Sequence, residues 1–103
     1  MSEITLGILG GGQLGSMLSV AAKKLNIRTI IYCDDSNAPA QSFCDEFIFA
    51  KYDEKNKIYE FAHKADIITY EFENIPYETL NELNKLKTVL PKPSINRLIQ
   101  HRL

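Results

Sequence analysis

Two short stretches of this 103-residue chain hold side chains whose types and spacing could do chemistry. The first, Gly10-Gly11-Gly12-Gln13-Leu14-Gly15, has the G-x-G-x-x-G spacing. Glycines so placed let backbone approach a ligand closely. When the run follows a strand and opens a helix, the first helical N–H groups point at that ligand. Gln13 adds an amide that can donate or accept. The pattern is compatible with a dinucleotide, a phosphate or a ribose and does not choose among them; the plainer alternative is a tight turn with close helix-to-strand packing. The second stretch, Thr69-Tyr70-Glu71-Phe72-Glu73-Asn74-Ile75-Pro76, carries two carboxylates and an amide. In an extended segment Glu71 and Glu73 point the same way. Paired carboxylates suit ribose hydroxyls or an amine. A bare phosphate beside both would be repelled unless basic residues intervened, and neither stretch contains lysine or arginine. Here the plainer alternative is a polar loop with a helix cap.

The elements that must position these stretches follow from hydrophobic patterning. Ile4 to Leu9 reads as a buried strand, and Leu14, Met17, Leu18, Ala21, Ala22 and Leu25 follow at helical spacing. Arg28 to Cys33 is a second strand, rich in β-branched residues, and Asp34 to Gln41 a loop broken by Pro39. Glu46 to Ala50 is a weaker third strand. Ile58, Phe61, Ala62 and Ala65 mark a second helix, with Asp53 or Asn56 as its cap. Asp66 to Tyr70 is a fourth strand. Pro76 suits the first turn of a third helix after Asn74 or Ile75, with Leu80, Leu83 and Leu86 facing inward. Thr88 to Leu90 is a short fifth strand. Strands alternating with helices predict an α/β, Rossmann-like domain, with a mostly parallel sheet and helices on both faces. With strand order 3-2-1-4, the chains leaving strands one and four diverge, and the glycine loop and Glu71 share the crevice between them.

Composition narrows the function classes. With 45% hydrophobic and 24% charged residues the chain is of ordinary globular type, and a formal net charge of -1 offers no broad field for nucleic acid or an anionic membrane. No apolar run approaches bilayer length and no signal-peptide pattern opens the chain, so a cytoplasmic location is the default expectation. Cys33 and Cys44 fit neither a redox pair nor a zinc site and read as reduced, partly buried thiols. His63 and His101 are too poorly accompanied to predict a metal. After Glu82 the chain carries Lys85, Lys87, Lys92, Arg97 and Arg102 and no acid, which reads as a solvated basic face. Ile95, Leu98, Ile99 and Leu103 keep helical spacing to the last residue, so the expectation is a domain within a longer protein.

The glycine run, Asn37-Ala38-Pro39-Ala40, and Thr69-Tyr70-Glu71-Phe72-Glu73-Asn74 occur in the order seen in the 5-(carboxyamino)imidazole ribonucleotide synthase family of ATP-grasp enzymes, which nearly the whole chain resembles. The glycine motif is shared more loosely with other ATP-grasp enzymes; Tyr-Glu-Phe-Glu-Asn is more particular. The resemblance implies the N-terminal Rossmann-like pre-ATP-grasp domain, residues 1–103, of a three-domain ligase. Such ligases use ATP and Mg2+ to phosphorylate bicarbonate and transfer the carboxyl group to the amine of 5-aminoimidazole ribonucleotide in purine biosynthesis. It further implies that Gly12, Gln13, Leu14 and Glu71 contact the ribonucleotide, that Glu73 and Asn74 belong to the same edge, and that Arg102 contacts ATP phosphates. No catalytic residue falls in this chain, which alone would be inactive. The parent would be a homodimer, with Mg-ATP held mainly by its other domains. Two positions depart from the family pattern. Ser16 stands where relatives commonly have arginine, and His101 where Asp or Asn is more usual.

The rival reading is an NAD(P)-binding Rossmann domain of an oxidoreductase. Asp34 supports it, closing the second strand at about the 20-residue distance expected of a ribose-binding acid. Against it, Glu71 and Glu73 crowd the crevice and a second mononucleotide half is missing. A third reading, a non-catalytic binding domain, is opposed by the open-ended last helix.

Overall fold

The computed structural model describes residues 4–71 and 75–90. Five strands, β1 (Thr5–Leu9), β2 (Arg28–Cys33), β3 (Glu46–Phe49), β4 (Ile67–Tyr70) and β5 (Thr88–Val89), alternate with helices α1 (Gln13–Lys24), α2 (Lys55–Lys64) and α3 (Tyr77–Leu86). All strand pairs are parallel, in the order β3-β2-β1-β4-β5. The α/β, Rossmann-like expectation is met, and the strand order contains the 3-2-1-4 run on which a shared crevice depends. A 3-10 turn, Pro39–Ser42, lies where a loop was expected.

Alternation along the strands divides the core in two. Leu9, Ile30, Tyr32, Ile48, Ile68, Tyr70 and Val89 face α2 and α3, meeting Ile58, Phe61, Ala62, Leu80 and Leu83. Ile8, Ile31 and Cys33 face the other way, toward Ala38, Ala40 and the half-buried Leu18 of α1. The α2–α3 side is the larger core, where Phe61 packs edge-on to Tyr32 with ring centroids 5.6 Å apart.

Several local expectations are corrected. In α1 the residues turned inward are Gly15, Ser19 and Ala22, with Leu18 half-buried, while Met17 and Leu25 stay 61% and 70% exposed. Small side chains let this helix settle closely: a Cβ at Gly15 would stand 2.9 Å from the Gly10 carbonyl oxygen. In α3, Leu80 and Leu83 are buried as expected, but Leu86 is exposed in the last turn and Thr79 takes an inward place. There the Thr79 hydroxyl donates to the Tyr52 carbonyl at 2.9 Å. Neither Asp53 nor Asn56 caps α2. Its N-cap is Glu54, whose carboxylate instead accepts the Lys51 N–H at 2.8 Å and closes the preceding turn. Pro76 is the N-cap of α3 and not its first residue. Both cysteines are free thiols, Cys33 buried and Cys44 half-buried, as expected, and burial pushes the Cys44 thiol up from its ordinary range.

Candidate functional site

The register of the sheet brings the two motifs together. Leu9 at the end of β1 is paired with Tyr32 of β2 and with Tyr70 of β4, so the next residues, Gly10, Cys33 and Glu71, emerge side by side at the carboxyl edge. Two further backbone bonds extend the ladder by one step: the Gly10 N–H donates to the Tyr32 carbonyl at 2.8 Å and the Glu71 N–H to the Leu9 carbonyl at 3.0 Å. Beyond them β1 leads through α1 to β2, while β4 leads through α3 to β5 on the opposite side. The crevice of a doubly wound sheet opens at such a divergence.

Glu71 reaches across this opening. Its Oε1 accepts the Gly12 N–H at 3.1 Å and the Gly15 N–H at 3.4 Å, so one carboxylate oxygen bridges two amides at the start of α1. Gly12 is the N-cap of that helix and provides no side-chain cap; the carboxylate from β4 fills the role, where a negative charge also meets the positive end of the helix dipole. The glycines make this possible. Gly10 has φ +106°, and a Cβ there would lie 2.6 Å from Glu71 Oε2; a Cβ at Gly12 would lie 3.0 Å from Oε1.

The Asn37-Ala38-Pro39-Ala40 stretch supports the loop from behind. The Ala40 N–H donates to the Gly11 carbonyl at 2.9 Å, and a Cβ at Gly11 would meet Ala38 Cβ at 2.6 Å and Cys33 Sγ at 3.2 Å. Asn37 itself is exposed, its N–H donating to the Asp35 carboxylate at 2.9 Å.

Of the residues singled out from the sequence, the structure brings Gly12 and Glu71 into direct contact and places Gln13 and Leu14, both solvent-facing, in the first turn of α1 beside them. Glu73, Asn74, His101 and Arg102 lie outside the described residues. Asp34 follows β2 and is exposed, separated from Glu71 by the intervening β1. The Ser16 hydroxyl donates back to the Gly12 carbonyl at 3.2 Å.

Sequence reasoning missed Tyr52. Its ring lies 5.8 Å from that of Tyr32; burial, then the neighbouring Cys33 and Asp34, push its phenol well above the ordinary range. Tyr32, fully buried, donates its hydroxyl to the Lys51 carbonyl. Burial and then Glu54 and Asp53 push it up to about 12. No period or motif in the sequence marks this pair, because it forms only when β2 and the segment after β3 are adjacent.

Among the described residues no three His, Cys, Asp or Glu side chains converge as a metal site, and no helix is long and apolar enough to cross a membrane. The described crevice does not fit Mg-ATP: its two motifs contribute backbone amides and Glu71, with no cation for a triphosphate.

The ribonucleotide synthetase preATP-grasp domain family matches residues 3–100. The chain belongs to that family. The N5-carboxyaminoimidazole ribonucleotide synthase of Brucella melitensis is 41% identical over 98 residues, covering 95% of this chain and 27% of its own length. The Staphylococcus aureus N5-carboxyaminoimidazole synthetase solved with ADP superposes with a TM-score of 0.87 at 34% identity, over 96% of this chain and 28% of that one. The Aspergillus clavatus enzyme, solved with ADP and 5-aminoimidazole ribonucleotide, gives a TM-score of 0.82 at 31% identity, over 95% and 26%. The chain thus spans about a quarter of the length of these relatives. For a preATP-grasp domain, the Rossmann-like outline does not by itself signify a dinucleotide site, and the oxidoreductase alternative is not favoured.

Proposed function

We propose that this preATP-grasp domain is the N-terminal, ribonucleotide-gripping part of an ATP-dependent carbon–nitrogen ligase that carboxylates 5-aminoimidazole ribonucleotide with bicarbonate in purine biosynthesis. The observation that carries this reading is the convergence of Glu71 on the glycine loop at the diverging β1–β4 edge, in a chain 41% identical to a synthase of that reaction. A carboxylate is an acceptor only and suits the hydroxyls of a ribose. Gln13 adds a two-way amide, and Leu14 a backbone N–H in the first turn, before intrahelical bonding begins. Glu73 and Asn74 are assigned to the same ribonucleotide site, and Arg102 to the ATP phosphates.

Mg-ATP and bicarbonate chemistry belong to the parent enzyme, since the described crevice does not fit the nucleotide triphosphate. ADP or ATP in solved relatives supports ATP as cosubstrate, and 5-aminoimidazole ribonucleotide in the Aspergillus clavatus structure supports the acceptor. A cytoplasmic homodimer is the assembly we assign to the parent.

Calorimetric titration of the parent protein with 5-aminoimidazole ribonucleotide and with NAD tests this. Ribonucleotide binding that weakens at least tenfold in Glu71→Gln, with no NAD binding, is the expected result. NAD binding without ribonucleotide binding would overturn it.

A further inference from the structure

We propose that the Glu71 carboxylate is a resident anion of the glycine loop, occupying the amide cradle at the start of α1 and so excluding phosphate from it. This goes beyond the substrate assignment and does not depend on it. A glycine loop that opens a helix offers converging N–H groups and the positive end of the helix dipole, the combination that draws phosphates and pyrophosphates. Here the Gly12 and Gly15 N–H groups already converge on one oxygen, Glu71 Oε1, at 3.1 and 3.4 Å. The space that missing side chains open above Gly10 and Gly12 is filled by the same group: Cβ atoms there would meet its oxygens at 2.6 and 3.0 Å.

Three consequences follow from that occupancy. An incoming phosphate would have to displace a covalently tethered competitor that loses little entropy in binding. It would also approach a like charge, with no lysine or arginine in either motif to offset it. A ribose hydroxyl meets neither obstacle, because it can donate to the carboxylate where it stands. Glu71 is therefore a specificity-determining residue that converts a phosphate-type loop into one that accepts neutral hydroxyl-bearing groups. The tyrosines at this edge do not alter the balance at neutral pH, since Tyr32, Tyr52 and Tyr70 are held protonated by burial.

The test is a titration of the whole chain with inorganic phosphate at constant ionic strength, followed through the backbone amide resonances of Gly12 and Gly15, for wild type, Glu71→Gln and Glu71→Ala. Circular dichroism establishes that each variant is folded. The wild-type amides are expected to show no saturable shift. Both variants should gain one confined to residues 10–15, with apparent phosphate affinity at least tenfold above wild type and larger for Glu71→Ala, where the cradle is also vacated. If Glu71→Ala does not fold, Glu71→Gln carries the comparison, because the neutral amide keeps a weaker acceptor that supports the loop while removing the charge that competes with and repels phosphate. Saturable phosphate binding at Gly12 and Gly15 in wild type, or its absence in a folded variant, overturns the proposal. Neither result bears on whether the parent binds 5-aminoimidazole ribonucleotide.

Discussion

Alanine at Gly10 and alanine at Gly12 should have sharply different costs, although both add one methyl group facing the same carboxylate. At Gly10 the backbone sits at φ +106°, which an L side chain rarely adopts; holding a non-glycine residue there costs about 1–3 kcal/mol. The added Cβ would also lie 2.6 Å from Glu71 Oε2 and 2.9 Å from its carboxyl carbon, so the carboxylate must leave the Gly12 and Gly15 amides. A charged hydrogen bond contributes about 1.5–3 kcal/mol, and half-burial with water replacing the lost partner reduces this to about 1 kcal/mol. The sum is about 2–4 kcal/mol. At Gly12 φ is -80°, within reach of any residue, and the closest atom is the flexible end of Glu71 at 3.0 Å. Alanine there also restricts the unfolded chain, a gain of about 0.4–1 kcal/mol, so the net loss stays within about 1 kcal/mol. Urea denaturation followed by circular dichroism, analysed with a shared m-value, measures both. A Gly10→Ala protein as stable as wild type, or a Gly12→Ala protein as unstable as Gly10→Ala, would refute the assignment of strain to Gly10.

Phe61→Ala should cost about 3–5 kcal/mol, since the ring is fully buried between the sheet and α2 and packs on Tyr32; a lost or strongly shifted urea transition is the expected result, and a change below about 1 kcal/mol would contradict the core described. Tyr32 should titrate at about 12, against 10.0 for an ordinary phenol, and Tyr52 and Tyr70 are also raised by burial. A raised phenol holds its proton more tightly in the folded state, so its stabilisation is complete below pH 10 and is lost as pH rises through about 12. The fall is up to about 1.4 kcal/mol per pH unit for each such group. Ultraviolet phenolate titration beside urea melts at each pH checks this, with all five tyrosines ionising near pH 10 in the folded protein as the contrary result.

Strand positions were legible in the sequence because this sheet is buried on both sides of its centre and reads as continuous apolar runs: Arg28–Cys33 was located to the residue, and the other strands to within one residue at an end. The inward face of α1 was less so. Periodicity marks Leu14, Met17 and Leu25 as readily as Gly15, Leu18 and Ala22, and only the close approach of the helix to the Gly10 carbonyl selects the small residues. Capping by sequence proximity failed at α2 for a comparable reason. Glu54 serves as N-cap residue through its backbone, while its carboxylate answers the Lys51 N–H instead, and composition cannot tell which of several nearby acids a backbone turn will orient.

The site posed a different problem, because its two halves are 59 residues apart in sequence, from Gly12 to Glu71. Motif spacing reported a glycine loop and, separately, an acidic strand end; their joint meaning rested on strand order. Given β1 beside β4, register decides the rest. Leu9 opposite Tyr70 makes Gly10 and Glu71 the next residues of adjoining parallel strands, and a glutamate side chain is long enough to cross to the first turn of α1. A shift of one residue in that pairing would turn Glu71 to the other face of the sheet. The loop amides would then be open to an external anion, and the same glycine motif would describe a phosphate site. The chemistry of this loop is thus set by the neighbouring strand as much as by its own glycines.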